Sequence, residues 1–206
     1  MIEQRSAEWF AERIGKVTAS RIADVMAKTK TGWGASRANY AAQLIAERLT
    51  GQVQESYSNA AMNWGTETEP MARAAYCFLY DAEVVEVGSV PHPTIAMSSA
   101  SPDGLVGDDG LIEIKCPQTA THIDFLLCGT IPEKYRLQML WQMACTGRKW
   151  CEYASFDPRL PADMQLKVIR LARDDVAIRD LETSVIVFLA EVDAKLAALY
   201  KLREAA

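Results

Sequence analysis

Asp103, Glu113 and Lys115 are the residues of this chain whose types and spacing could do chemistry together. They fall in the stretch SASPDGLVGDDGLIEIKCP, Ser99 to Pro117, where Gly107-Asp-Asp-Gly110 separates two short apolar runs, Leu105-Val106 and Leu111-Ile112. A turn cluster between apolar runs predicts a hairpin. Antiparallel pairing then folds Asp103 back beside Glu113 and Ile114. Alternation along the second strand puts Glu113 and Lys115 on one face and sends Ile112 and Ile114 the other way, into the core. With strands about 4.8 Å apart, two carboxylates on adjacent strand ends can share one hard cation, and a backbone carbonyl, that of Ile114, could add a ligand. Oxygen ligands favour Mg²⁺ or Mn²⁺ over zinc, and such ions assist phosphodiester hydrolysis by neutralising charge on the phosphoryl oxygens and activating water. Lys115 fits beside them as an ammonium that orients or activates that water. Alanine at any of the three is expected to remove chemistry and no packing contact. Taken alone, the same charges on an exposed hairpin would be ordinary surface groups, and the spacing by itself does not choose.

The neighbouring residues supply a resemblance that does. Ser101-Pro-Asp-Gly104 and Glu113-Ile-Lys-Cys-Pro117 resemble the catalytic block of the PD-(D/E)xK nuclease superfamily, and within it the phage lambda exonuclease or YqaJ-like viral recombinase family. Arg13-Ile-Gly-Lys-Val-Thr-Ala-Ser20 resembles the family's N-terminal block and Trp64-Gly-Thr-Glu-Thr-Glu69 its helix start. Tyr135-x-x-Gln138-x-x-x-Gln142 resembles the glutamine helix, and Tyr153-x-x-x-Phe-Asp-Pro-Arg159 a later strand and its exit. In order, these blocks cover about residues 5 to 160.

The resemblance implies that Asp103, Glu113 and the Ile114 carbonyl ligate metal, Mg²⁺ or Mn²⁺ and two ions together, while Lys115 acts on the water. Glu69 would support the site or position water, although a helix N-terminal acid favoured by the dipole reads the same way from the residues alone. Gln138 would help position substrate. Arg13, Ser20 and Ser101 would form a pocket for a 5′-terminal phosphate, whose extra charge and forked oxygens suit a guanidinium and hydroxyl donors; a surface pair of Arg13 with Glu12 or Glu8 is the alternative. Met62 stands where relatives present an apolar wedge to the terminal base pair, and Lys30 where a mobile loop offers a cation to the duplex; a core methionine and a surface lysine are the plainer readings. The implied activity is a 5′-to-3′ exonuclease that digests one strand of linear double-stranded DNA and leaves 3′ single-stranded tails for recombination. A ring-shaped homotrimer and a single-strand annealing recombinase partner come with the same resemblance.

Composition is compatible with this. The chain has 206 residues, 50% hydrophobic and 24% charged, enough for one sizeable core, so a single nuclease domain over residues 1–206 is expected. No apolar run is long enough to span a bilayer and Met1-Ile-Glu-Gln-Arg5 lacks a signal peptide's apolar core, so a cytoplasmic phage or prophage protein with no membrane association is expected. The five cysteines, Cys77, Cys116, Cys128, Cys145 and Cys151, are odd in number without a Cys-x-x-Cys pair, which predicts reduced thiols and no iron-sulfur cluster. His92 and His122 are expected to be structural or exposed, not ligands. The net charge of -5 divides unevenly: residues 1–50 carry 8 basic against 5 acidic side chains, residues 51–120 carry 2 against 10, and the rest 12 against 12. Acidity is thus concentrated around Glu69, Asp103 and Glu113, where cations would offset it, and the basic N-terminal portion is the candidate for phosphate contact.

The elements that must position these residues can be read coarsely. Helices are expected at 6–13 and 18–28, then an exposed Gly/Lys/Thr-rich loop from Lys28 to Gly34, then a helix capped by Ser36 and ending before Gly51. A helix from Thr68 to Tyr80 keeps Pro70 in its first turn. Strands near 83–97 lead to the hairpin. Pro132 starts and Gly147 stops a helix carrying Gln138 and Gln142 one turn apart, where two amides could reach one substrate. Strands near 149–156 and 164–171 follow, and Ile178, Leu181, Val185, Phe188, Leu189, Val192, Leu196 and Leu199 mark a long amphipathic helix. The class is α+β, a restriction-endonuclease-like core with a mixed central sheet flanked by helices. Two other functions stay open on the sequence: a restriction- or repair-type endonuclease of the same fold, and a non-catalytic DNA-end-binding protein. The intact Asp103, Glu113 and Lys115 argue against the latter, and the Arg13–Ser20 block against the former.

Overall fold

Alternating apolar residues build the strand pair that carries the carboxylates. In the computed structural model, which describes residues 4–54 and 60–205, the chain opens with helix α1 (Ala7–Arg13), capped by the Ser6 side chain, and strand β1 (Val17–Thr18). A 3-10 turn, Ala19–Arg21, and a single-turn helix α2 (Ile22–Val25) follow. The helix expected over 18–28 is therefore mostly absent. Val17 and Thr18 pair in parallel with Ser98 and Ser99, an extended role that suits two β-branched residues. The expected loop from Lys28 to Gly34 is a small hairpin, β2 (Lys28–Thr29) and β3 (Gly32–Trp33), exposed on both strands.

Helix α3 (Ala35–Thr50) starts from Gly34 and not from Ser36, which lies inside its first turn, and it stops at Gly51, whose φ of 67° supplies the left-handed cap. Helix α4 runs over Ala60–Tyr80, beginning earlier than expected, so Pro70 sits in its interior. A proline there removes one backbone hydrogen bond, and burial of Ala72 and Tyr76 against the sheet keeps the helix continuous. The strands expected near 83–97 are three short pieces, β4 (Val84–Val85), β5 (Val90–Pro91) and β6 (Ser98–Ala100).

The hairpin forms as expected: β7 (Gly104–Val106) pairs antiparallel with β8 (Gly110–Lys115), Leu105 opposite Leu111, around a turn in which Gly107 has φ 51°. Helix α5 (Thr119–Cys128), which the sequence reading did not anticipate, precedes α6 (Glu133–Thr146); α6 starts after Pro132 and ends at Gly147, φ 71°. Strand β9 (Trp150–Phe156), strand β10 (Leu166–Ala172) and helix α7 (Asp175–Glu204) complete the order. The main sheet is mixed, β10-β9-β8-β7-β4, parallel only between β8 and β9; a second sheet reads β1-β6-β5.

Both faces of β8 are covered, which the hairpin reading did not foresee. Ile112 and Ile114 pack in a cluster with Ala72 and Tyr76 of α4 and Ala154 and Phe156 of β9. Leu111, on the opposite face, joins the larger core formed by α2, α3, α6 and α7. Glu113 shares that face and is fully buried as a result. On α7 the apolar stripe buries Ile178, Leu181, Val185, Phe188, Leu189 and Val192; Leu196 is partly buried and Leu199 exposed, so the stripe outruns the core by two turns.

Candidate active site

The hairpin delivers Asp103 to Ile114, whose N–H donates to Asp103 Oδ2 at 2.7 Å. Glu113, one residue before, points to α6. Gln138 Nε2 donates to its Oε1 at 2.6 Å and Gln142 Nε2 to its Oε2 at 2.5 Å. The two amides one helical turn apart thus hold a carboxylate, and Gln138 also lines the cavity where a substrate would lie. Lys115 follows on the same face. Its Nζ contacts Glu113 Oε1, donates to the Ile114 carbonyl at 3.1 Å and lies 4.0 Å from Asp103 Oδ2. Three oxygens expected to bind metal therefore converge on one cationic atom.

The electrostatics show how much these oxygens call for a cation. Burial first and the Glu113 charge second push Asp103 up to about 8, with Glu69 adding to the rise and Lys115 opposing it. For Lys115, burial works to strip the proton, but the facing Glu113 and Asp103 charges overcome it and hold the ammonium above the ordinary lysine value. A paired set of hard oxygen donors that destabilise each other's charge suits a divalent ion. Asp103, Glu113 and the Ile114 carbonyl are the donors present; among the described residues no cluster of three or more His, Cys, Asp or Glu side chains forms.

A cavity of about 150 Å³ lies over this group, lined by Asp103, Glu113, Lys115 and Gln138 and also by Arg13, Ser20 and Ser101. All three residues expected to read phosphate therefore share one space with the carboxylates. Arg13 Nη1 donates to Ser101 Oγ at 3.0 Å, and its guanidinium lies 3.9 Å over the Trp9 ring. Burial lowers the Arg13 pKa to about 10, which still leaves it charged near neutrality. No ion pair with Glu8 or Glu12 forms among the described residues. Ser20 is exposed in the same cavity, its Oγ 3.5 Å from Thr18 Oγ1.

Glu69, on α4, stands outside the cavity lining and is paired with Arg5 Nη2 at 2.7 Å and Arg73 Nη2 at 2.8 Å. Arg73 also donates to the Asp103 carbonyl at 3.4 Å, which links Glu69 to the backbone of Asp103. Lys30 sits at the exposed tip between β2 and β3 and does not line the cavity. Met62 falls in the first turn of α4 and its side chain lies outside the described residues. Three residues were missed by sequence reasoning. Trp9 donates its indole N–H to Ser101 Oγ at 3.0 Å, and Gln4 and Arg5 line the cavity. Gln4 is tied to the Val87 and Pro102 carbonyls, both at 2.7 Å. None of these carries a spacing signal; they arrive through tertiary packing.

The histidines are structural. His92 is buried against Glu182 at 3.1 Å and Trp141, and His122 is fully buried between Ser155 Oγ at 2.7 Å and the Met164 carbonyl at 2.9 Å. The five cysteines are free, and burial pushes Cys116 up to about 12 and raises Cys145 and Cys151, which makes these thiols unreactive.

The family model for the YqaJ-like viral recombinase domain matches residues 8–149. The chain belongs to this family. Its structure is similar to the crystal structure of LHK-Exo, an alkaline exonuclease from Laribacter hongkongensis, with a TM-score of 0.91 and 54% identity over 98% of this chain and 100% of that one. The complex of LHK-Exo with dAMP matches equally well, at 55% identity with the same coverage. A phage related exonuclease from Haemophilus somnus 129PT shares the fold at a TM-score of 0.71 and 12% identity, over 89% of this chain and 96% of that chain. No curated protein matches the chain by sequence. The architecture is thus the restriction-endonuclease-like α+β fold of the family, and among the described residues no helix is long and apolar enough to cross a membrane.

Proposed function

We propose that this chain is a metal-dependent exonuclease that engages a 5′-phosphorylated end of linear duplex DNA, digests that strand 5′ to 3′ and leaves a 3′ single-stranded tail for recombination by strand annealing. The observation that carries this reading is the convergence of Asp103 Oδ2, Glu113 Oε1 and the Ile114 carbonyl on one point, in a cavity that Arg13, Ser20 and Ser101 also line. The likeness to LHK-Exo, an alkaline exonuclease crystallised with a deoxynucleoside monophosphate, supports it.

Asp103, Glu113 and the Ile114 carbonyl would hold Mg²⁺ or Mn²⁺, as two ions, which when bound supply Lewis acidity at the phosphoryl oxygens and a more acidic water. The chain's own residues do the rest. Gln138 and Gln142 lock the Glu113 carboxylate in one orientation, which removes the entropy of ordering it during the reaction. Lys115 turns its ammonium from Glu113 to the attacking water and the negative charge growing on the phosphoryl oxygens. Arg13, oriented by Ser101 and Trp9, holds the terminal phosphate, so that each cut leaves a new 5′-phosphate to be drawn into the same position. Glu69, through Arg73, fixes the backbone of Asp103. As a single nuclease domain the chain would act as a homotrimer in a bacterial cytoplasm and pass its 3′ tail to a single-strand annealing recombinase.

Incubation with Mg²⁺ of a linear 5′-phosphorylated duplex beside a covalently closed circle tests the reading. Loss of the linear form alone is the expected result. Nicking of the circle would replace it with an endonuclease, and intact DNA of both forms with an end-binding protein.

A further inference from the structure

A second and larger cavity, about 380 Å³, adjoins the catalytic one, and the two share Trp9, Arg13 and Ser20 as a common wall. The carboxylates and Lys115 line only the smaller cavity. Phe10, Ile14, Leu44 and Val53 wall the larger one together with Lys16 and Arg21, and its accessible lining is mainly carbon. The Arg13 guanidinium feels Tyr40 and Glu47, both of which line this space, so it faces both cavities. The volume falls within the roughly 300–1,000 Å³ of small-ligand sites, and apolar walls with a few polar groups are the usual lining of such sites.

We propose that this cavity is a nucleoside subsite, one position 5′ of the phosphate that Arg13 holds; the assignment rests on the exonuclease reading above. An apolar wall suits a base and sugar. On a 5′-phosphorylated strand the subsite plays no part, and the first product is a mononucleotide. On a 5′-hydroxyl strand the first nucleoside enters the cavity, Arg13 takes the first internal phosphate, and the bond presented for hydrolysis is the next one along. Water oxygen joins that phosphorus and its P–O3′ bond breaks. The leaving O3′ takes up a proton, and the product is a dinucleoside monophosphate with hydroxyls at both ends, the remaining strand carrying the new 5′-phosphate.

The test is to identify the first product released from internally labelled linear duplexes with 5′-phosphate and with 5′-hydroxyl ends. Wild type is expected to release mononucleotide from the former and dinucleoside monophosphate from the latter. Val53→Trp, which fills the cavity from its exposed rim, should lower the ratio of the second product to the first by roughly fivefold or more, the low end of what stacking one base contributes. Mononucleotide from phosphorylated ends together with free nucleoside from hydroxyl ends would overturn the subsite and leave the exonuclease standing. Dinucleoside release that Val53→Trp leaves unchanged would place the nucleoside elsewhere and also overturn it. No mononucleotide from phosphorylated ends would overturn both readings.

Discussion

Asp103, Glu113 and Lys115 stand next to each other but would fail differently on substitution. Glu113 is fully buried and accepts from two glutamines, so Glu113→Ala strands both amides and costs stability, contrary to the expectation that all three are free of packing duties. Asp103→Asn keeps an acceptor for the Ile114 N–H and is the cleaner probe. It should abolish digestion and weaken Mn²⁺ binding by more than the roughly 10–100-fold that outer partners of metal ligands contribute. Lys115→Ala should also abolish digestion, yet bind Mn²⁺ at least as tightly as wild type, because the ammonium already rests against the same oxygens. Calorimetric titration checks this, and equal loss of metal by both variants would refute the division of roles. Arg13→Ala should cost roughly 1.5–3 kcal/mol, about ten- to a hundredfold, on phosphorylated ends and less on hydroxyl ends, where the same guanidinium meets an internal phosphate of smaller charge, so most of the preference for 5′-phosphate is lost. An unchanged preference ratio would remove Arg13 as the phosphate reader. At this scale the sequence was legible wherever residues lie in one strand or one helix turn. Trp9, Gln4 and the Arg5–Glu69–Arg73 bridge were not, because their partners lie far away in the chain.

The elements that carry these residues depend on two close approaches at the hairpin. A Cβ on Gly110 would lie 2.1 Å from the Trp150 ring, and one on Gly104 would lie 2.2 Å from Val84 Cγ1. Trp150 opens β9 and is covered by Arg170 at 3.7 Å, so it has little room to retreat. Gly110→Ala is therefore expected to destabilise by about 1–3 kcal/mol, a fall in midpoint of roughly 2–4 °C per kcal/mol for a chain of this size. Thermal unfolding reads it, and an unchanged midpoint would mean that β8 and β9 do not pack as described. The hairpin, α6, β9, β10 and α7 were legible because period, turn residues and caps agree there. The second helix was not, since Val17 and Thr18 follow a pairing with Ser98 and Ser99 that no local pattern contains. Pro70 misled the start of α4 because burial of Ala72 and Tyr76 outweighs one missing hydrogen bond.

Across the whole molecule, the uneven charge of the sequence becomes spatial. Arg13, Lys16 and Arg21, from the basic N-terminal portion, line the larger cavity, while Asp103 and Glu113, from the acidic one, line the smaller. The boundary between the two is the Trp9, Arg13 and Ser20 wall, and a 5′-terminal phosphate drawn there by the Arg13 charge would set the next bond of its strand over the carboxylates. That order requires a direction. A linear duplex carrying a radioactive 5′-phosphate and a fluorophore at the 3′ end of the same strand, digested in Mg²⁺, measures it most directly. Wild type should release the 5′ label at once as a mononucleotide and the fluorophore only at the end, with Asp103→Asn releasing neither; loss of the fluorophore first, or a first product many nucleotides long, would contradict the account.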